Sequence, residues 1–450
     1  MEGGRTEPAP LRRRAARRCA LQAAASRLTG VSGLITVLSL DLIQTVAFAG
    51  VVLFAGYGIR RGVPVLGRYN IPAPVIGGLL VAGVFSFAAS RGMTLVTFDT
   101  TLQAPLMIAF FTSVGFGASV ALLRVGGPLV LIFFGISTLA AVVQNVVGAL
   151  LAVALGQPAL MGVLAGSVTL TGGPATGLAF APQFEAAGVP AAATLALAAA
   201  MVGIVSGGVV GGPVATWLIG RRQLATPKAA PVHIPLVTAQ SIVEEQLHEA
   251  PAKAPEGEDR EAYTLLKTLV VMLVAMWVGG LISAWINRTL AGVGMALPAY
   301  IGAMLAAAVI RNVDDATKLV GISQQVVDDL GNVALSLFLV LALMTLRLYE
   351  IVHVALPLII IVAVQVACVV ALSVWAVFRT LGRDYEGAVI ASGFCGFMLG
   401  TTANAMANME AIVERYGPAP RAFLVVPMVG AFFIDFTNAL VITGFLNLLR

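Results

Sequence analysis

The chain has 450 residues, of which 59% are hydrophobic and 11% charged, and its mean hydropathy is +0.95. Soluble domains carry about 25% charged residues, so lipid is the natural solvent, and the net charge of +5 belongs to loops beside apolar spans rather than to a nucleic-acid surface. Three cysteines without paired spacing and three scattered histidines argue against a disulfide framework and a zinc cluster, and no organic cofactor is expected.

Residues 1–33 are rich in Arg and Ala and lack the apolar core of a secretory signal, so they are expected to form a disordered basic extension. Apolar spans follow at about 36–59, 71–90, 105–123, 128–155 and 191–219. The fourth span carries two isolated amides, Gln144 and Asn145, which are candidate sodium ligands. Val114–Ser119 (VGFGAS) reads as a small-residue packing face.

Between the fourth and fifth spans lies a Gly-rich apolar stretch, 158–185, containing SVTLTGGPATGLAF. Its glycines, threonines and Pro174 will not hold a continuous helix. Broken backbone survives in a bilayer only when buried in protein or lining a wet cavity. The stretch is therefore expected to be a re-entrant hairpin with its tip near Thr171 to Gly177. Thr171, Gly172, Gly173, Thr176 and Gly177 are candidate binders of an anionic substrate through exposed N–H groups.

A polar stretch at 220–262 reads as a solvated linker. Spans then recur near 264–287, 297–310, 333–346, 351–377 and 423–446. The pairs Asp314–Asp315 and Asp328–Asp329 flank a short polar loop and are expected to be solvated. Gln365 is the lone amide of the ninth span and a further candidate sodium ligand. A second Gly-rich stretch, 386–409, has its expected tip at Gly400, Thr401, Thr402, Ala403 and Asn404. Gly400, Thr401, Thr402 and Asn404 are candidate substrate contacts, and Asn408, four residues on from Asn404, is a candidate sodium ligand.

The sharpest single residue is Asp435, which has no basic residue within ten positions on either side. At the bilayer centre a carboxylate costs about 2.5–3.5 kcal/mol on insertion scales unless something pairs with it. It is assigned to sodium, with Asn438 as helper.

The second half repeats the first. IPAPVIGGLL from Ile71 matches LPAYIGAMLA from Leu297, GVLAGS from Gly162 matches GAVIAS from Gly387, and the segments ending at Ile219 and Ile442 share their spacing, all at offsets of 223 to 226. Five crossings per half make the halves, 34–219 and 263–450, inverted. With the central linker cytoplasmic and both termini outside, sixteen basic residues fall on the cytoplasmic side and four outside, leaving out the extension. The fold expected is thus an all-α integral membrane protein of two inverted repeats, each of five transmembrane helices and one re-entrant hairpin.

The chain resembles the bacterial glutamate:sodium symporters from about Leu40 onward. The resemblance is closest in FLVVPMVGAFFIDFTNALVI (Phe423 to Ile442), LGNVALSLFLVLALM (Leu330 to Met344) and PLMIAFF (Pro105 to Phe111). It implies a homodimer in the bacterial inner membrane and sodium-coupled uptake by an elevator-like movement of a transport domain past a scaffold. The hairpin tips depart from the family's pattern. Where the family reads Ser-Gly-Gly-His-Gly-Thr-Gly, this chain has Thr171-Gly172-Gly173-Pro174-Ala175-Thr176-Gly177, and Ala-Thr-Pro-Thr-Ala-Ile-Ala-Asn-Met becomes Thr401 to Met409. The expectation is sodium-coupled symport of a small anion, glutamate or a related acidic amino acid. A di- or hydroxycarboxylate, or cation/proton exchange through Asp435, are the alternatives. An enzyme on lipid-linked substrates would need clustered acidic or nucleophilic residues that this sequence lacks.

Overall fold

The computed structural model describes residues 38–91, 93, 96–125, 127–227, 260–289, 297–346 and 354–449. The basic extension and most of the central linker lie outside these residues. Apart from a two-residue parallel pair, β1 (Leu38–Ser39) with β2 (Val96–Thr97), the described structure is helical.

The first half contains α1 (Leu42–Gly62), α2 (Pro64–Arg68), α3 (Ala73–Ser90), α4 (Gln103–Gly117), α5 (Val120–Val125) and α6 (Gly127–Ala154). It continues with α7 (Ala159–Val163), extended by a π-helical turn over Leu164–Val168, then α8 (Gly173–Ala186) and α9 (Ala192–Arg222). The second half contains α10 (Arg260–Thr289), α11 (Ala299–Thr317), α12 (Gln324–Met344) and α13 (Ala355–Leu372), which runs on through a π-helical turn to Thr380. It ends with α14 (Tyr385–Leu399), α15 (Thr402–Tyr416), α16 (Pro420–Phe432) and α17 (Ile434–Leu448). Local chemistry starts several of them. Asp41 and Gln44 form a reciprocal capping box on α1, and prolines open α2, α3 and α16.

Among the described residues, six helices are long and apolar enough to cross a bilayer: α1, α6, α9, α10, α12 and α13. The expected single span at 423–446 is instead a bent pair. Its parts Pro420–Gly430 and Ile434–Leu448 meet at 44°, downstream of Pro427, which removes one helical hydrogen bond. The expected span at 105–123 also breaks, after Gly117, where Ser119 leaves the helix to bond Asp315.

Contacts sort the helices into two groups. One comprises α1, α3, α4, α10, α11 and α12; the other comprises α6 to α9 and α13 to α17, with α5 leading from the first to the second. Glycines set the tightest crossings. A Cβ on Gly162 of α7 would lie 1.9 Å from the Gly148 carbonyl of α6, and one on Gly302 of α11 would lie 2.2 Å from the Gly279 carbonyl of α10. Backbones at such distances leave no room for a side chain.

The Asp314 loop differs from its expected solvated state. Asp314 is 6% exposed and accepts backbone N–H bonds from Val320, Gly321 and Ile322 at 2.8–3.1 Å. Arg311, 3% exposed, pairs with Asp315 at 3.0 Å and donates to Gln324. Burial by itself would raise the Asp314 carboxyl, but the three N–H donors and Arg311 outweigh it and hold the group below its ordinary value. The acidic run therefore caps and pins a helix–loop–helix corner.

Candidate functional site

Both Gly-rich stretches break. In the second, α14 and α15 pack antiparallel: Gly393 lies against Met409 and Gly396 against Asn404 and Ala405. The open end is closed by Tyr385, whose hydroxyl donates to the Gly417 carbonyl at 2.5 Å, and by Arg421 paired with Asp384 and Glu386. The return helix runs to Tyr416, seven residues past the expected boundary at 409. Its turn takes in Gly400 and Thr401 of the expected tip, while Thr402, Ala403 and Asn404 already lie in the first turn of α15, which the Thr401 hydroxyl caps at the Asn404 N–H.

In the first stretch the interruption covers Thr169–Gly172, earlier than the expected tip. Gly173 has φ +68, a left-handed conformation suited to glycine, and Pro174, Thr176 and Gly177 already lie in the opening turns of α8. The two arms are splayed rather than packed together: α7 lies on α6, while α8 lies on α9, with Gly177 against Ala196.

The two breaks meet. Gly173 faces the Gly400 carbonyl, which an added Cβ would approach to 3.6 Å. Gln144, fully buried, joins them: its Nε2 donates to the Met398 carbonyl at 3.0 Å and its Oε1 accepts from the Thr171 hydroxyl at 2.6 Å. Gln365 holds the same helix turn by donating to the Gln144 carbonyl at 2.6 Å. Asn145 Oδ1 accepts from the Ser167 N–H at 2.9 Å, and Asn438 Nδ2 donates to the Ser167 carbonyl at 3.0 Å. On the other side, Asn404 and Asn408 donate to the Ile204 and Gly207 carbonyls of α9 at 2.8 and 2.9 Å.

These bonds leave a distinct residue of polar atoms. Asn438 Oδ1, Asn404 Oδ1, Gln365 Oε1, Ser167 Oγ and Ser392 Oγ are buried with no hydrogen-bond partner among the described residues. Each asparagine uses its N–H₂ on a carbonyl, so its oxygen is held in place and free. Buried oxygens of this kind suit a hard cation without its water shell. Thr401 and Thr402 are only partly buried, whereas Thr171 and Thr176 are buried. The N-termini of α8 and α15 both lie beside the approach of Gly173 to the Gly400 carbonyl, and a helix N-terminus is a setting for an anion.

Asp435 is not drawn into this network. It sits half-buried in the first turn of α17, just past the bend at Phe433, with no hydrogen bond or ion pair to the other described residues. The helix N-terminus there favours a negative charge. Ser167, absent from the sequence-derived candidates, belongs to the junction, and Ser392 lies buried further back in α14. The available signal is a hydroxyl in an otherwise apolar Gly/Ala run in each Gly-rich stretch.

Apolar helices of crossing length, gathered around a buried polar junction between two chain breaks, define a multi-pass membrane protein of the transporter class. The profile of the sodium/glutamate symporter family matches residues 38–418, and the chain belongs to that family. It is 39% identical over 411 residues to the sodium/glutamate symporter of Escherichia coli K12, covering 91% of this chain and 98% of that protein. With the Haemophilus influenzae sodium/glutamate symporter it shares 38% over 402 residues, covering 88% and 95% respectively. The chain is accordingly a symporter and not an enzyme.

Proposed function

We propose that the chain carries glutamate, or a closely related acidic amino acid, together with sodium ions across the bacterial inner membrane. The relatives bear this activity in their names, and one observation carries it to the residues here: Gln144 bonds both breaks at once. Thr171, Gly172, Gly173, Thr176 and Gly177 on one side, and Gly400, Thr401 and Thr402 on the other, line the place of the substrate carboxylates at the two helix N-termini, with the Thr171 hydroxyl and the Gly172 N–H already donated to Gln144 and the Ser167 carbonyl. Sodium takes the oriented free oxygens, Asn438 Oδ1 with the Ser167 hydroxyl on one side and Asn404 Oδ1 on the other. Asn408, Asn145 and Gln365 shape that shell, and Asp435 supplies a carboxylate charge.

The two halves act as inverted repeats, with both breaks re-entrant from opposite sides and the linker cytoplasmic. The group α6–α9 with α13–α17 then slides as a transport domain past the other group, which dimerises as a scaffold. Each net positive charge moved inward gains about 2.3 kcal/mol per 100 mV, so excess sodium drives accumulation of the anion.

Uptake into proteoliposomes, with sodium and proton gradients imposed separately and labelled glutamate, aspartate, citrate and malate offered in turn, tests this. Sodium-driven glutamate uptake is expected. Preference for citrate or malate would move the substrate to the hydroxycarboxylates. Acid release from sodium-loaded vesicles with no organic solute present would indicate an exchanger.

A further inference from the structure

Among the described residues, two side-chain hydrogen bonds span the seam between the helix groups, one at the far end of α8 and one beside the second break. Tyr300, the second residue of α11, is 1% exposed, and its hydroxyl donates to Gln183 Oε1 of α8 at 3.1 Å. Across the seam, Asn70 Nδ2 stands 3.5 Å from the Ala403 carbonyl at the start of α15. Asn70 is held for this role by a left-handed turn, φ 52, closed by its N–H to the Gly67 carbonyl at 3.0 Å.

The tyrosine contact is the better built. Its ring lies 4.8 Å from Phe111 of α4, in its own group, and 5.1 Å edge-on to Phe180 of α8, in the other. Phe180 and Gln183 are three residues apart and share one face of α8, so this arm presents a ring and an amide to the scaffold together. Phe111 and Phe180 are both buried at 1% exposure or less. Phe111 and Tyr300 are mutually fixed because α4 and α11 approach closely at Gly115, where a Cβ would lie 2.2 Å from the Met304 carbonyl. The socket is rigid and the plug is carried by the opposite group.

We infer that Tyr300 and Gln183 form a state-specific latch, positioning residues that hold the α8 arm in this disposition and set how much of the protein occupies it. The inference rests on the sliding movement proposed above. A shift of even one helical turn, about 5.4 Å, breaks a 3.1 Å bond and withdraws Phe180 from the socket. The Tyr300 hydroxyl is buried and Gln183 half-buried, so losing the bond is not fully made good by water. The bond thus favours one disposition and is absent from any other, which is what a population-setting contact requires. It touches neither substrate nor sodium, so its removal acts through the balance of states.

The test places spin labels on the full-length chain in lipid nanodiscs, with the native cysteines replaced. One label goes at the exposed Val84→Cys of α3 and the other at the exposed Leu150→Cys of α6. Pulsed dipolar spectroscopy reads the distance distribution in potassium, in sodium, and in sodium with glutamate. Two distances whose proportions depend on ligand are expected for the otherwise unaltered chain. Tyr300→Phe keeps the ring stack and loses only the bond; it should lower the ratio of the present disposition to the other by about fivefold, the equivalent of one net hydrogen bond. Gln183→Met should do the same, and the double variant should go no further. Either variant decides the matter if the other fails to fold. An unchanged ratio, or a double variant equal to the product of the singles, overturns the latch and leaves the sliding movement standing. A single ligand-independent distance in the unaltered chain refutes the movement and the latch together.

Discussion

Thr171→Val is the cleanest probe of the junction, because valine matches threonine in shape and removes only the hydroxyl. In the structure that hydroxyl donates to Gln144 Oε1 at 2.6 Å, and both residues are buried. The variant strands the amide oxygen where solvent cannot reach it. A stranded buried acceptor costs about 1–3 kcal/mol, equivalent to roughly 5- to 150-fold in an equilibrium constant. If the two breaks must be joined for the site to form, the cost falls on binding. The half-saturating glutamate concentration in sodium-driven uptake should therefore rise within that range, while Thr171→Ser, which keeps the donor, stays near the unaltered value. Thermal unfolding in detergent separates this from general damage. Equal half-saturation for Thr171→Val and the parent chain would refute the idea that the Gln144 bridge belongs to the binding site.

Asp435→Asn should raise the sodium concentration needed for half-maximal uptake without moving the unfolding temperature by a comparable amount; unchanged sodium dependence removes Asp435 from the ion site. Gly162→Ala forces a methyl to within 1.9 Å of the Gly148 carbonyl and should cost about 1–3 kcal/mol or more in stability through overpacking, read as a lower melting temperature and poor monodispersity. The clasp at the base of α14 and α15 carries a pH signature. Burial by itself would raise the Asp384 carboxyl, but the Gly387 N–H and Arg421 hold it below its ordinary value, which is about 3.9 in a free chain. A depressed carboxyl stabilises the fold above that free-chain value and loses its contribution as pH falls through the lower folded value. Melting temperatures should thus show no loss from this group between pH 5 and pH 8, in the range where it stays ionised, and Arg421→Gln should move the acid loss to higher pH.

Much of this protein was legible along the chain because it follows from chemistry between near neighbours. Lipid exposure demands apolar spans, and the composition supplies them. Clustered Gly and Thr, with Pro174, marked both breaks within a few residues, although the similar run from Gly207 to Pro213 stays helical within α9. Family membership was legible too, since the blocks around Phe423 to Ile442 and Leu330 to Met344 are long and specific. Isolated amides in apolar spans pointed to buried polar work, and Gln144, Asn145, Gln365, Asn404, Asn408 and Asn438 are indeed all buried.

What each of them does was decided only by folding. Gln144 lies 27 residues from Thr171 and 254 from Met398, and no local pattern shows that one amide bridges both breaks. Asp314 and Asp315 look solvated in sequence although Arg311 on the same helix and the N–H groups of Val320 to Ile322 are near along the chain; burial comes only when α4, α11 and the loop before α12 close on one another and bring Ser119 to Asp315 from 196 residues away. The pairing of Tyr300 with Gln183 has the same origin. A backbone break is a local property of residue type, written in sequence order, whereas the partner that satisfies a buried polar atom is set by which helices pack together, and only the tertiary structure settles that.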